Sequence, residues 1–272
     1  MKAYVLNTGT LKIDKNAFLL NAVQARRDNP NPRLEYIDCC TYAVLVDHPT
    51  AGKFLYDLGV NPDALSDKWP EELKQVCPYT MGEGEDFLSQ LALCDTKPED
   101  VKTIILSHLH WDHTGNMHLF EHCDVYAPIR ELESALLKIH SSSNLDDQFP
   151  YYKPDLEVPV KHLIGLTDEE EEIEIFPGVH LINLPGHTPG LFAMLLELEG
   201  GNIVFPSDAS YLAANYGPPA HCTGGVLYDN RAYMRSMEVL RKYAKRYNAR
   251  VLFSHDIEFF KNEMKVAPEY YA

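Results

Sequence analysis

No stretch of this chain approaches the roughly 20 consecutive apolar residues that a membrane-spanning helix requires. Met1 to Thr8 also lack the apolar run of a signal peptide. No membrane insertion is expected, and a cytoplasmic protein is expected. Cation is scarce as well: 24 Lys and Arg face 40 Asp and Glu, a formal charge of −16. Nucleic acid and anionic membrane surfaces need clustered Lys and Arg, so neither is an expected partner, and a neutral or weakly charged small molecule is easier to accommodate. The six cysteines, at 39, 40, 77, 94, 123 and 222, form no C-x-x-C pair. In a chain this long they read as reduced thiols rather than a disulfide framework.

Other absences narrow the chemistry. No Pro/Gly/Ser-rich linker or break in composition divides the 272 residues, so one domain over 1–272 with a sizeable core is expected. Ser107 and Ser254 stand outside any Gly-x-Ser-x-Gly elbow, which argues against a serine nucleophile. The acidic run Asp168 to Glu172 has neither the spaced glycine nor the alternating oxygen ligands of a calcium loop, and reads as a solvated connection between strands.

What is present is concentrated in Ser107-His108-Leu109-His110-Trp111-Asp112-His113-Thr114-Gly115-Asn116. Four potential metal ligands fall within six residues, directly after the β-branched run Val101 to Leu106. That run predicts a buried strand with the ligands on the loop leaving its carboxyl end, where backbone can curl around an ion. Imidazoles with a carboxylate suit zinc or another borderline divalent metal. Three isolated ligands recur downstream in the same setting. Val179 to Leu184 leads into Pro185-Gly186-His187-Thr188-Pro189-Gly190, which holds His187 in a constrained turn. Asn202 to Ser207 delivers Asp208, and Arg250 to Ser254 delivers His255.

Elsewhere, Ala43–His48 and Lys53–Asp57 predict a hairpin. Leu191–Glu199 and Asn202–Ser207 predict another across Gly200-Gly201. Apolar residues at helical spacing predict helices over Glu85–Leu93 and Asn230–Tyr247, the latter presenting Met234, Met237, Leu240, Tyr243 and Ala244 on one face. Asn29 to Arg33 and Trp69 to Gly84 lack a period and read as loops that could overhang the cleft. Periodicity alone yields an α/β or α+β class.

The order H-x-H-x-D-H, distant His, Asp, last His resembles the metallo-β-lactamase superfamily over essentially the whole chain. Asp208-Ala209-Ser210-Tyr211, His255-Asp256-Ile257-Glu258 and Pro268-Glu269-Tyr270-Tyr271 bring it closer to the N-acyl-homoserine lactone lactonases. The resemblance implies an αββα sandwich of two packed mixed sheets flanked by helices. It implies two divalent metal ions, zinc first and iron, cobalt or manganese as options. His108, His110 and His187 would hold one ion, Asp112, His113 and His255 the other, and Asp208 would bridge. Such a pair lowers the pKa of shared water towards about 7 and polarises a carbonyl, so attack of a bridging hydroxide on a lactone carbonyl is the implied reaction. Tyr211 would bind the oxyanion and Asp112 would protonate the departing alkoxide. Asp57 matches a superfamily position that orients a metal-bound histidine.

The same machinery could hydrolyse another lactone, a thioester or a phosphodiester. A diiron redox protein would need a carboxylate within the first motif and a flavodoxin-like domain, both missing, and a silent binding module would not need seven ligands. Phe18, Leu19, Leu20 and Trp111 could line an acyl pocket, although an apolar triplet more often packs as core. His118 is expected to be exposed or supporting, and His48, His122, His140, His162, His180 and His221 receive no role.

Overall fold

The computed structural model describes residues 1–272. Twelve strands form two sheets. The first comprises β1 (Lys2–Asp14), β2 (Tyr36–His48), β3 (Gly52–Tyr56), β4 (Tyr79–Thr80), β5 (Val101–Ile105), β6 (Asp124–Pro128) and β7 (His162–Leu166), in the order β4-β1-β2-β3-β5-β6-β7. Its β4-β1-β2-β3 half is antiparallel and its β3-β5-β6-β7 half parallel. The second comprises β8 (Glu172–Phe176), β9 (Val179–Asn183), β10 (Phe192–Leu196), β11 (Ile203–Phe205) and β12 (Arg250–Val251), in the order β12-β11-β10-β9-β8. All of its pairs are antiparallel except β11-β12.

Strand alternation explains the layering. Val44, Val46, Phe54 and Tyr56 of the first sheet point at Leu181, Phe192, Met194 and Phe205 of the second and make the central core. Their neighbours Leu45, Leu55 and Ile104 face outward against flanking elements such as Phe87, Leu91, Ala135 and Ile139. On the opposite outside, the helix Asn230–Arg246 lays Tyr233, Met237, Leu240, Tyr243 and Ala244 onto Ile182, Ala193 and Val204. Both strand faces are therefore apolar, the signature of a sheet covered twice, and the order is the expected helix, sheet, sheet, helix.

The expected hairpins are present as β2-β3 and β10-β11, and the two expected helices as Phe87–Ala92 and Asn230–Arg246. Two readings need correction. The 13-residue β1 lies where no strand was expected; Asn7, Thr8 and Gly9 interrupt its apolar pattern at a register shift, so alternation is broken where a bulge re-aims the chain. The segment 69–84 is not merely loop, because it holds the helix Glu71–Val76 and strand β4. Leu73 anchors that helix among Trp69, Trp111 and Tyr152, a tertiary contact invisible to local period. All six cysteines are unpaired, five of them buried. No helix is long and apolar enough to cross a membrane.

Candidate metal centre

The four expected ligand segments leave the carboxyl ends of β5, β9, β11 and β12 and meet at one end of the sandwich. His108 Nε2, His110 Nδ1, His187 Nε2 and Asp208 Oδ2 form one group. His187 Nε2 lies 2.9 Å from His110 Nδ1, and Asp208 Oδ2 lies 3.6 Å from His108 Nε2 and 3.4 Å from His187 Nε2. Asp112 Oδ2, His113 Nε2, His255 Nε2 and Asp208 Oδ1 form the second. Asp208 Oδ1 is 3.0 Å from His255 Nε2 and 3.3 Å from His113 Nε2, while Asp112 Oδ2 stands 3.6 and 3.8 Å from those nitrogens. Within each group the atoms lie within 4.8 Å of one another, and the two oxygens of Asp208 divide between them.

Proton accounting shows how these nitrogens are aimed. His113 Nδ1 donates to Asp57 Oδ2 at 2.8 Å, His255 Nδ1 to the Cys40 carbonyl at 2.8 Å, and His187 Nδ1 to the Val226 carbonyl at 2.9 Å. Each bond turns the Nε2 atom inward. Asp57 also accepts from Ser107 N and Ser107 Oγ, both at 2.7 Å. Ser107 Oγ, its proton committed to Asp57, is then the acceptor for His108 Nδ1 at 2.9 Å. Asp57 carries this with a left-handed backbone (φ 59°), a conformation Asp tolerates better than most residues. Gly186, at φ 140°, lets the His187 turn approach the helix Asn230–Arg246 so closely that a Cβ would sit 2.2 Å from Tyr233 N.

The donor set fits two cations. Burial, reinforced by neighbouring imidazoles, holds His108 and His110 well below the ordinary histidine range, and burial brings His187 down to about 4; neutral imidazole is the form that ligates. Burial also opposes charge on His113 and His255, but the carboxylates around them, Asp208 above all, prevail and raise both. Burial likewise opposes ionisation of Asp208, and His113 and His255 overcome it and keep the group ionised. Asp112 is pushed up by burial. His108 Nε2 and His113 Nε2 are buried and without a hydrogen-bond partner, a cost that a cation at either position removes. Every ion pair of Asp112 and Asp208 is with a histidine, none with Lys or Arg.

Beside the centre, Tyr211 is buried, with its hydroxyl 3.0 Å from His187 Nδ1 and its ring 4.5 Å from that of Phe18. Because the His187 Nδ1 proton points to Val226 and the phenol, the phenol proton is free for another acceptor. A groove of about 520 Å³ lined by Ile13, Phe18, Val76, Phe149, Tyr211 and Val226 opens on this side. A cavity of about 340 Å³ bordered by Tyr151, Thr188 and Tyr228 opens beside His110 and His187. Phe18 and Trp111 reach the cleft; Leu20 is exposed instead, and His118 is exposed as expected.

Several supporting residues escaped the sequence reading. Glu131 is wholly buried, accepts from the Tyr151 hydroxyl at 2.9 Å and the Leu109 amide at 3.5 Å, and burial raises its carboxyl to about 7. In sequence it is an acid in the first turn of Ile129–Ile139, where acids are commonplace. Ser207 Oγ donates to Ser107 Oγ at 2.8 Å, and the Val226 carbonyl offers no side-chain signal at all.

A two-sheet sandwich with a His/Asp cluster at its strand ends defines a metallohydrolase class. The chain belongs to the metallo-beta-lactamase superfamily, whose model matches residues 38–255. Within it the chain is a member of the N-acyl homoserine lactonase family. It is 32% identical to N-acyl homoserine lactonase AiiB of Rhizobium rhizogenes over 99% of each chain. It is also 31% identical to AiiA of Bacillus thuringiensis subsp. kurstaki over 72% of this chain and 71% of that one. It shares 26% identity and a TM-score of 0.78, over 99% of this chain and 98% of the other, with a solved N-acyl homoserine lactone hydrolase carrying the product N-hexanoyl-L-homoserine at its catalytic metal center.

Proposed function

We propose that this protein opens the lactone ring of N-acyl homoserine lactones, with two divalent metal ions, zinc first among them, held by His108, His110, His187, Asp112, His113, His255 and the shared Asp208. The observation that carries the reading is the division of the two Asp208 oxygens between two three-residue groups of inward-facing donors. When bound, such a pair of ions supplies a water acidic enough to attack at neutral pH and an electrophile for the carbonyl.

The chain's own groups complete the chemistry. Water adds across the ring ester: its oxygen joins the carbonyl carbon, the bond from that carbon to the ring oxygen breaks, and the ring oxygen takes a proton. Tyr211, kept protonated by burial and by Asp208, donates its free hydroxyl proton to the carbonyl oxygen as charge develops there. Asp112, raised by burial, takes up the proton that the attacking water gives up and passes it to the departing ring alkoxide. Phe18 and its neighbours in the groove shelter an acyl tail; each buried methylene adds at most about 0.8 kcal/mol, so modest chain-length preference is expected. The unpaired thiols support a reducing, cytoplasmic setting.

A proton-release assay over lactones of differing acyl length, beside β-lactams, thioesters and phosphodiesters, tests this. Acyl homoserine lactones should turn over with one titratable proton each and β-lactams poorly. Inert lactones beside a rapidly cleaved thioester or phosphodiester would sink the substrate assignment and leave a metallohydrolase of another specificity.

A further inference from the structure

Behind the metal motif lies a carboxylate that the proposed chemistry does not use. Asp155, on the short helix Lys153–Leu156, is 3% exposed. Its Oδ1 accepts from Asn61 Nδ2, and its Oδ2 lies 3.3 Å from Thr114 Oγ1. Thr114 Oγ1 also lies 3.3 Å from the His110 carbonyl. A threonine hydroxyl has one proton and here two oxygen neighbours; a carbonyl has none to give. A neutral Asp155 supplies the second proton, so that each contact becomes a full hydrogen bond rather than a share of one.

The surroundings agree. No basic side chain acts on Asp155; the titratable groups facing it are Asp63, on the turn that carries Asn61, and Tyr152, beside it in sequence. Burial foremost, with Asp63, raises its carboxyl to about 8. The rest of the motif is pinned from the other side: Leu58 N donates to the His113 carbonyl at 2.8 Å, Gly115 N to the Gly59 carbonyl at 2.9 Å, and Asn116 Nδ2 to the Leu58 carbonyl at 2.8 Å. Packing there is so close that a Cβ on Gly115 would fall 1.9 Å from Asn61 N. Asp155 is the point where this turn, the motif and the helix Lys153–Leu156 join.

We propose that Asp155 is a positioning residue for the metal centre: as a neutral carboxylic acid it donates to Thr114, Thr114 then donates to the His110 carbonyl, and the relay fixes the backbone from which His110, Asp112 and His113 reach the cations. The proposal rests on the metal-binding reading above. An asparagine reproduces the neutral acid, with its amide donating to Thr114 and its carbonyl accepting from Asn61. An alanine cannot.

The test is zinc affinity at pH 7, measured by competition with a chromogenic chelator and so independent of lactone turnover, for wild type, Asp155→Asn, Asp155→Ala and Thr114→Val, with thermal melts of each. Asparagine should stay within about twofold of wild type. Alanine and Thr114→Val should each weaken zinc binding by about 10-fold, the usual scale for groups that orient ligands, and the double variant should be little worse than Asp155→Ala because both cut one relay. If Asp155→Ala fails to fold, Thr114→Val decides alone. Folded Thr114→Val with wild-type affinity, or Asp155→Asn as weak as alanine, would overturn the relay. Wild-type protein that takes up no zinc would sink the metal reading and the proposal with it.

Discussion

At Asp208 one carboxylate meets four histidine nitrogens and pairs with no lysine or arginine, and the surrounding hydrogen bonds engage each imidazole's outer nitrogen so that the inner one faces the carboxylate. Tyr211 differs in kind from these residues, since its hydroxyl touches His187 at Nδ1 rather than at the Nε2 that faces Asp208. Replacing it by phenylalanine removes only that hydroxyl. Elemental analysis of Tyr211→Phe should still find two metal ions per chain, while kcat falls about 10-fold, less than for an isolated oxyanion donor because the cations share the duty. An unchanged kcat, with chemistry shown to be rate-limiting, would return Tyr211 to a packing role beside Phe18. The motif histidines were legible in the sequence because their spacing is local. Glu131 and Asp155 were not, because an acid on a helix looks solvated until another element buries it.

At the scale of elements, short pieces of helix and turn are locked onto the ends of long strands. The helix Lys153–Leu156 is docked through Asp155, and its burial has a thermodynamic consequence with a definite sign. The carboxyl has a folded value of about 8 against 3.8 when exposed. Below pH 3.8 both states are protonated and the residue is neutral in its effect. From there to about 8 the unfolded chain gives up a proton that the folded chain keeps, so this residue's contribution to stability declines as pH rises, by at most about 1.4 kcal/mol per unit. Asparagine does not ionise. The melting temperature of Asp155→Asn should therefore exceed that of wild type, by a margin that widens from pH 5 to pH 7. A margin that is constant or shrinks would mean that Asp155 is ionised in the folded protein.

For the whole molecule, a formal charge of −16 and the Asp112 and Asp208 carboxylates at the junction of four chain segments mean that cations bound at the proposed centre would be linked to folding. Ions that bind the folded state alone stabilise it by about 2.7 kcal/mol at a hundred times their Kd. Stripping metal with a chelator should lower the melting temperature by on the order of 5–10 °C, and zinc should restore it. A melt indifferent to chelator, in protein shown by elemental analysis to have lost its metal, would mean that the centre contributes nothing to the fold.

The sequence by itself determined the candidate ligand types, their order, the strand before each of them and the two glycine-marked or turn-marked hairpins, because those signals are carried by residues close together in the chain. It also determined the poverty of cations that turns the protein away from nucleic acid. Only the tertiary structure decided which histidine nitrogen faces inward, since that depends on partners such as Asp57, Cys40 and Val226, which lie 56, 215 and 39 residues away from the imidazoles they orient. It alone decided that β1 runs the length of the first sheet despite a broken pattern and that Phe18, rather than Leu20, enters the cleft. It alone buried Asp155 behind the motif. Burial and long-range hydrogen bonds are properties of what a residue is packed against, and no local period encodes them.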